Sequence, residues 1–305
     1  MISALIKIHA NTGRLIEISI RFISLKVRDI LSEFKLNFLS YQFTFKHTNM
    51  EMQAHSFTSK YNKKIHYYTY GNPSAKPILF VHGFPGTGKQ GQMLLKGSIY
   101  EHDFFMIAMD RPGYGIAEHE PDFSLKKYAE NADELMTRLG HQKFVVLSVS
   151  GGGPYAAAVS FFLGHRVQAT LSINGIGPME LKKFPFLNQA QKKIYLMNKM
   201  LPRPALEFFV ERLYNRNADR IDQILISDFE GFSPIDRKVL DDPEMGPFLF
   251  ETFKFSIMKG PYGLLSDMRI YLEPWGFEIR DIKVPYYLYH GNADDVVHQI
   301  GRAHV

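Results

Sequence analysis

The sequence contains no cysteine. Disulfides and thiolate metal sites are thereby excluded, and the chain fits a reducing compartment, with the cytoplasm as the expectation. It also has no apolar run near the ~18–20 residues that a membrane-crossing helix needs, so no span is expected. No block of one charge sign stands out: 36 Lys and Arg are interspersed with 31 Asp and Glu, leaving a formal charge of +5. That balance argues against a nucleic-acid partner. Internal repeats and low-complexity tracts are missing too. What is present is a 305-residue chain, 45% hydrophobic and 14% aromatic, long enough for one large α/β domain or a domain plus an insertion.

The first 50 residues differ in kind from the rest. They carry Lys7, Arg14, Arg21, Lys26, Arg28 and Lys35 against Glu17, Asp29 and Glu33, with Ile, Leu and Phe between. Residues 1–52 therefore read as an N-terminal extension. It is either a basic amphipathic targeting segment or an upstream reading-frame extension ahead of Met50 or Met52.

Downstream, short apolar runs alternate with amphipathic stretches. Lys64–Tyr70, Pro77–Val81, Phe104–Met109, Lys143–Val149, Ala169–Ile173 and Val284–Tyr289 have the composition of strands. Ser124–Leu139 has helical spacing, with Leu125, Tyr128, Ala129, Ala132, Leu135 and Met136 on one side and a stop at Gly140. Such alternation predicts an α/β fold: a mostly parallel sheet with helices on both faces. About 110 residues separate the last two strands, too many for one crossover, and they are rich in helical pattern and proline. The expected organisation is a core over 53–177, an inserted helical cap over 178–265, and the rest of the core over 266–305.

The strand KFVVLSV runs into Ser148-Val149-Ser150-Gly151-Gly152-Gly153-Pro154 and then a helix-compatible Tyr155-Ala156-Ala157-Ala158. This strand–turn–helix is the setting of a nucleophile elbow, G-x-S-x-G, with Ser148 replacing the first glycine. The sharp bend demands small residues two before and two after the nucleophile. Ser148 and Gly152 satisfy it around Ser150. Ser148 itself would have the branched Val146 as a flank, which argues against it.

The strand PILFV ends in His82-Gly83-Phe84-Pro85-Gly86. A turn of this kind supplies a second oxyanion donor beside the amide that follows the nucleophile, so Phe84 and Gly151 are the candidates. One such donor is worth ~3–4 kcal/mol of transition-state stabilisation. The same stretch, GFPGTGK over 83–89, also satisfies the phosphate-loop pattern G-x-x-x-x-G-K, with Asp110 imitating the magnesium-holding acid. Gln90 follows in place of the hydroxyl residue, and only 20 residues lie between Lys89 and Asp110. Both details argue against nucleotide chemistry. After VPYYLYH comes Gly291-Asn292-Ala293-Asp294-Asp295. A carboxylate just past a parallel strand lies where α/β sites form, so Asp294 is the preferred orienting acid, with Asp295 beside it. An Asp here is equally a helix cap.

Taken together, VHGFPG (81–86), MDRPGYG (109–115), VSGGGPYA (149–156), EPWGF (273–277) and YHGNADDVV (289–297) resemble the α/β-hydrolase superfamily. The resemblance is to its serine branch, proline iminopeptidase-like or esterase-like, and spans about residues 62–304. It implies an eight-stranded sheet with a helical cap, no metal or organic cofactor, and a small-molecule substrate. By position it implies Ser150 as nucleophile, Asp294 as acid, and the Phe84 and Gly151 amides as oxyanion hole. Asp110, Arg111 and Gly113 then form a structural turn beside the site, and His82 shapes its loop. The resemblance also places a histidine a few tens of residues past the acid, after one further strand. The chain ends at Val305, with only His298 and His304 beyond Asp294. Both read as surface residues, so the last strand, the last helix and the catalytic histidine are expected to be missing. Loss of that imidazole would lower turnover by about 10⁶-fold. The leading expectation is hydrolysis of an ester, amide or small peptide through an acyl-enzyme. The competing one is a catalytically silent relative that binds a ligand or partner under its cap.

Overall fold

A computed structural model of the chain describes residues 51–95, 102–178, 192, 196–197, 199–223 and 241–290. The expectations for residues 1–50, Asp294, Asp295, His298 and His304 lie outside the described residues. Among the described residues, seven strands form one sheet: β1 (Gln53–Thr58), β2 (Lys64–Gly71), β3 (Lys76–Val81), β4 (Phe104–Met109), β5 (Phe144–Val149), β6 (Val167–Ile173) and β7 (Tyr286–Tyr289). Their order is β1-β2-β4-β3-β5-β6-β7. β4, β3, β5, β6 and β7 run parallel, while β1 and β2 pair antiparallel at one side.

The order has a consequence for the site. From β3 the chain moves to β4 on one side and later to β5 on the other, so the winding direction reverses between β3 and β5. Ligand sites of open α/β sheets form at such a reversal, beyond the carboxyl ends of the strands. Val81 at the end of β3 pairs with Ser148 near the end of β5. The loops that follow these two strands therefore emerge side by side.

β4 is buried at all six positions, as a central strand covered on both faces requires. On β3, Leu79 and Val81 join one apolar cluster and Ile78 and Phe80 join another, following the two-residue period of a strand. Helix α1 (Leu125–Arg138) buries the six apolar side chains that its spacing predicts, together with Asn131. Ser124 caps its start by accepting the Lys127 N–H at 3.2 Å. Gly140, at φ +81°, ends it: the Gly140 and His141 amides turn back to the Thr137 and Met136 carbonyls at 3.0 and 2.8 Å. Helix α2 (Gly153–Phe162) follows β5 and packs into the same cluster. Within the expected cap stretch lie α3 (Arg203–Arg216) and α4 (Met245–Ser256), followed by α5 (Tyr262–Leu272), within which residue 265 falls.

One feature differs from expectation. β1 is an additional strand: QAHSFT carries little apolar pattern because it is an exposed edge, held by its hydrogen-bond ladder to β2. Phe208 and Phe209 are 66% and 43% exposed, whereas Trp275 donates to the Ile270 carbonyl and packs beside Phe277 against the main core. No helix among the described residues is long and apolar enough to cross a membrane.

Candidate active site

β5 delivers Ser150 at φ +52°, a left-handed conformation that side chains with a β-carbon rarely adopt. The bend persists because its surroundings leave no room for side chains at the next three residues. A β-carbon on Gly151 would stand 2.3 Å from Tyr271 Oη and 2.4 Å from Phe84 Cβ. One on Gly152 would stand 2.5 Å from the Val81 carbonyl oxygen, and one on Gly153 2.7 Å from that of Ile176. This is the steric reason for Ser-Gly-Gly-Gly. Ser150 is 7% exposed, and its Cβ lies 3.7 Å from the point where a β-carbon on Gly83 would sit. The serine and the 82–86 loop are thus brought together. Ser148, by contrast, is fully buried and donates to Ser172 Oγ at 3.0 Å. The single turn over Ser150–Gly152 leads into α2, whose N-terminal end favours negative charge.

The loop after β3 is braced from several sides. Gly83 N–H donates to Gln90 Oε1 at 3.2 Å, and Gly88 N–H donates to Asp110 Oδ1 at 2.7 Å. The side chain of Gln90 fills the space that a β-carbon on Gly86 would need, 2.4 Å away. Lys89 Nζ stands 3.6 Å above the Phe255 ring. The phosphate-loop pattern is therefore spent on shaping this turn: its lysine meets a ring, and Asp110 accepts from Gly88 and from the Tyr68 hydroxyl. Burial raises the Asp110 carboxyl to about 7, against the opposing pull of the Gly88 amide, Tyr68, Lys89 and Arg111.

His82 shows which proton it carries. Arg111 N–H lies 3.2 Å from Nε2, and a backbone N–H can only donate, so Nε2 accepts. The ring proton is thereby assigned to Nδ1, which donates to the Gly83 carbonyl at 3.0 Å. Burial, and then the Arg111 charge, hold the imidazole well below its usual range. A neutral ring with both nitrogens engaged shapes the loop and is not available as a general base.

Under the site lies a buried polar cluster that sequence reasoning did not find. Arg111 Nε and Nη2 reach Asp267 at 3.1 and 2.6 Å, and both side chains are 1% exposed. The hydroxyls of Tyr114 and Tyr155 also donate to Asp267. Tyr271 Oη stands 3.0 Å from both Asp267 Oδ2 and the Gly151 carbonyl oxygen, which share its one proton. Burial and then the Asp267 charge push all three phenols well above their ordinary range. Burial works against the Arg111 charge, but Asp267 outweighs it and keeps the guanidinium protonated. The remaining Arg111 bonds go to the carbonyls of His82, at 2.5 Å, and Gly83, at 2.8 Å. The turn after β4 is stitched to the later helices as well. Gly115 N–H donates to the Ser256 carbonyl at 2.9 Å, and Gly263 N–H to the Gly113 carbonyl at 3.1 Å. The one available signal for Asp267 was an acid set among Leu264, Leu265, Met268 and Ile270.

Comparison with known proteins agrees with this architecture. The family model described as the alpha/beta hydrolase fold matches residues 76–303. A Mycoplasma genitalium protein assigned as a proline iminopeptidase is 32% identical over 79 residues. That match takes in 25% of this chain and 23% of the length of that protein. Among solved structures, an epoxide hydrolase from metagenomes of hot environments aligns with a TM-score of 0.56 at 16% identity, over 82% of this chain and 86% of its own. A membrane phospholipase A, described as a bacterial virulence factor, aligns at 0.54 and 17% identity, over 92% and 78%. A carboxylesterase of Nitrososphaera gargenis aligns at 0.50 and 16% identity, over 79% and 82%. Identities at this level establish a common fold and nothing narrower.

Proposed function

Because the chain belongs to the alpha/beta hydrolase fold family, we propose that it is a serine hydrolase cleaving a small ester, amide or peptide through an acyl-enzyme at Ser150. The observation that carries this reading is the serine held at φ +52° against the 82–86 loop. In the proposed reaction Ser150 Oγ attacks the carbonyl carbon and gives up its proton, which ends on the leaving alcohol or amine, while the carbonyl oxygen takes up the negative charge between the Phe84 and Gly151 amides. The intermediate collapses with loss of the alcohol or amine, and water then releases the acid. Asp294 is assigned the orienting role, with Asp295 adjacent, and the stretch 178–265 closes over the site as a cap. A hydroxyl rather than a carboxylate at the elbow favours acyl transfer over epoxide opening, although an epoxide hydrolase shares the fold. The chemistry consumes water alone and calls for no cofactor.

The test is labelling by a fluorophosphonate, in a version that carries the C-terminal histidine segment, followed by peptide mapping. Label is expected on Ser150 and is expected to vanish in Ser150→Ala; label that survives the substitution refutes the assignment. One observation favours a second reading, a silent member of the family that binds a ligand at the same place: His82, the imidazole of the site loop, has both nitrogens committed. That reading predicts ligand-dependent stabilisation with neither labelling nor turnover, even when a C-terminal histidine segment is restored.

A further inference from the structure

An amide holds a developing charge well only if it cannot turn away from it. A peptide unit is planar and trans, so its C=O and N–H point in opposite directions, and fixing the oxygen aims the hydrogen. Gly151 N–H belongs to the Ser150–Gly151 peptide, whose oxygen accepts the Ile176 amide at 3.0 Å. Phe84 N–H belongs to the Gly83–Phe84 peptide, whose oxygen accepts Arg111 Nη2 at 2.8 Å and His82 Nδ1 at 3.0 Å. Both proposed donors are therefore aimed from behind. The two clamps differ in kind, since one is neutral backbone and the other a buried guanidinium.

We propose that Arg111 is a positioning residue for the oxyanion hole. Its guanidinium fixes the plane of the Gly83–Phe84 peptide and makes the Phe84 N–H a stronger donor by placing positive charge on the carbonyl at the other end. Charge-assisted bonds are the stronger kind, and linked hydrogen bonds polarise one another. The inference rests on the reading of Ser150 as nucleophile. Asp267 holds the guanidinium through Nε and Nη2, leaving Nη1 and the second Nη2 proton for the two loop carbonyls. The planar fork is needed here: an ammonium is a single point and cannot span Asp267 and both carbonyls. Stability alone gives a poor account of this pair, because apolar residues of similar volume often stabilise a core as well as a buried ion pair does. Loop geometry gives a better one, since the unit spends two of its bonds on the backbone that bears the donor.

The experiment uses the full chain with two variants, Arg111→Lys and the double substitution Arg111→Met with Asp267→Leu. The second keeps an apolar fill in case the first does not fold. With p-nitrophenyl acetate, folded variants are expected to lose about 10²-fold in kcat, the scale of one oxyanion donor, with KM within about twofold. An unchanged kcat, or a loss confined to KM, overturns the proposal. A wild-type chain that neither turns over nor takes the fluorophosphonate, even with a C-terminal histidine segment restored, marks failure of the hydrolase reading instead. Amide hydrogen exchange then decides the geometry by itself. Exchange at Phe84 is expected to rise about tenfold in the variants while Gly151, clamped by Ile176, holds its rate. An unchanged rate at Phe84 overturns the positioning role whatever the chemistry.

Discussion

Replacing Gly151 by alanine tests the packing of the site at its tightest point. The added carbon would stand 2.3 Å from Tyr271 Oη, 2.4 Å from Phe84 Cβ and 3.1 Å from Phe84 N. The hydroxyl is the end of a ring wedged against Asp267 and the Gly151 carbonyl, and Phe84 Cβ is fastened to the backbone, so neither yields without moving the loop. Overpacking of this kind costs about 1–3 kcal/mol. At about 2–4 °C of midpoint per kcal/mol for a domain of this size, Tm should fall by roughly 2–12 °C. The displaced loop carries a proposed oxyanion donor, so fluorophosphonate labelling of Ser150 should slow by about 10²-fold or more. Adding Tyr271→Phe removes the first clash and leaves the second, so it should restore only part of the loss. Calorimetry and timed labelling of the single and double variants measure both effects. A Gly151→Ala protein with unchanged Tm and unchanged labelling refutes the reasoning, because the loop would then not be pressed against the elbow.

Three further outcomes follow from the same geometry. Asp267→Ala leaves the Arg111 guanidinium buried without its carboxylate and should cost about 3–5 kcal/mol in denaturant unfolding. The Arg111→Met, Asp267→Leu double variant should lose less than the two single substitutions summed, and a loss equal to that sum would show that the two groups are not coupled. For Asp110, the folded value of about 7 lies above the ordinary 3.8, so the folded protein keeps a proton that the unfolded chain releases. Its stabilising contribution is full below about pH 4, declines as pH rises through 7 and is flat beyond, a change of roughly 4 kcal/mol. Asp110→Asn should flatten that part of the stability–pH curve, and an unaltered slope would assign it to other groups. Ser150→Gly should be more stable than Ser150→Ala by about 1 kcal/mol, since only glycine is at ease at φ +52°. The reverse order would mean that the elbow is not left-handed.

What could be read from the sequence was local. Ser150 stood out because steric demand at a bend is written in adjacent residues, and Ser148 was set aside through its neighbour Val146. The buried stripe of α1 followed from its spacing, and its stop from Gly140. Asp267 was illegible for the opposite reason: its partner Arg111 lies 156 positions away, and no local pattern marks one acid on that helix as belonging to it. Gln90 was noticed only as a residue that spoils a phosphate-loop pattern, while its work is to brace Gly83 and Gly86. β1 went unseen because an edge strand needs a ladder partner more than an apolar face.

The stitches between the turn after β4 and the later helices bear on how this scaffold accepts new specificity. The amide of Gly115 is sewn to Ser256 and that of Gly263 to Gly113, and Asp267 hangs from the same helix. A graft that replaced residues 178–255 with another insert, while retaining Ser256 through Leu272, would keep every one of those seams. A cut placed inside α5 would sever them, and the reacting centre would lose its backing although no residue that touches substrate had been changed.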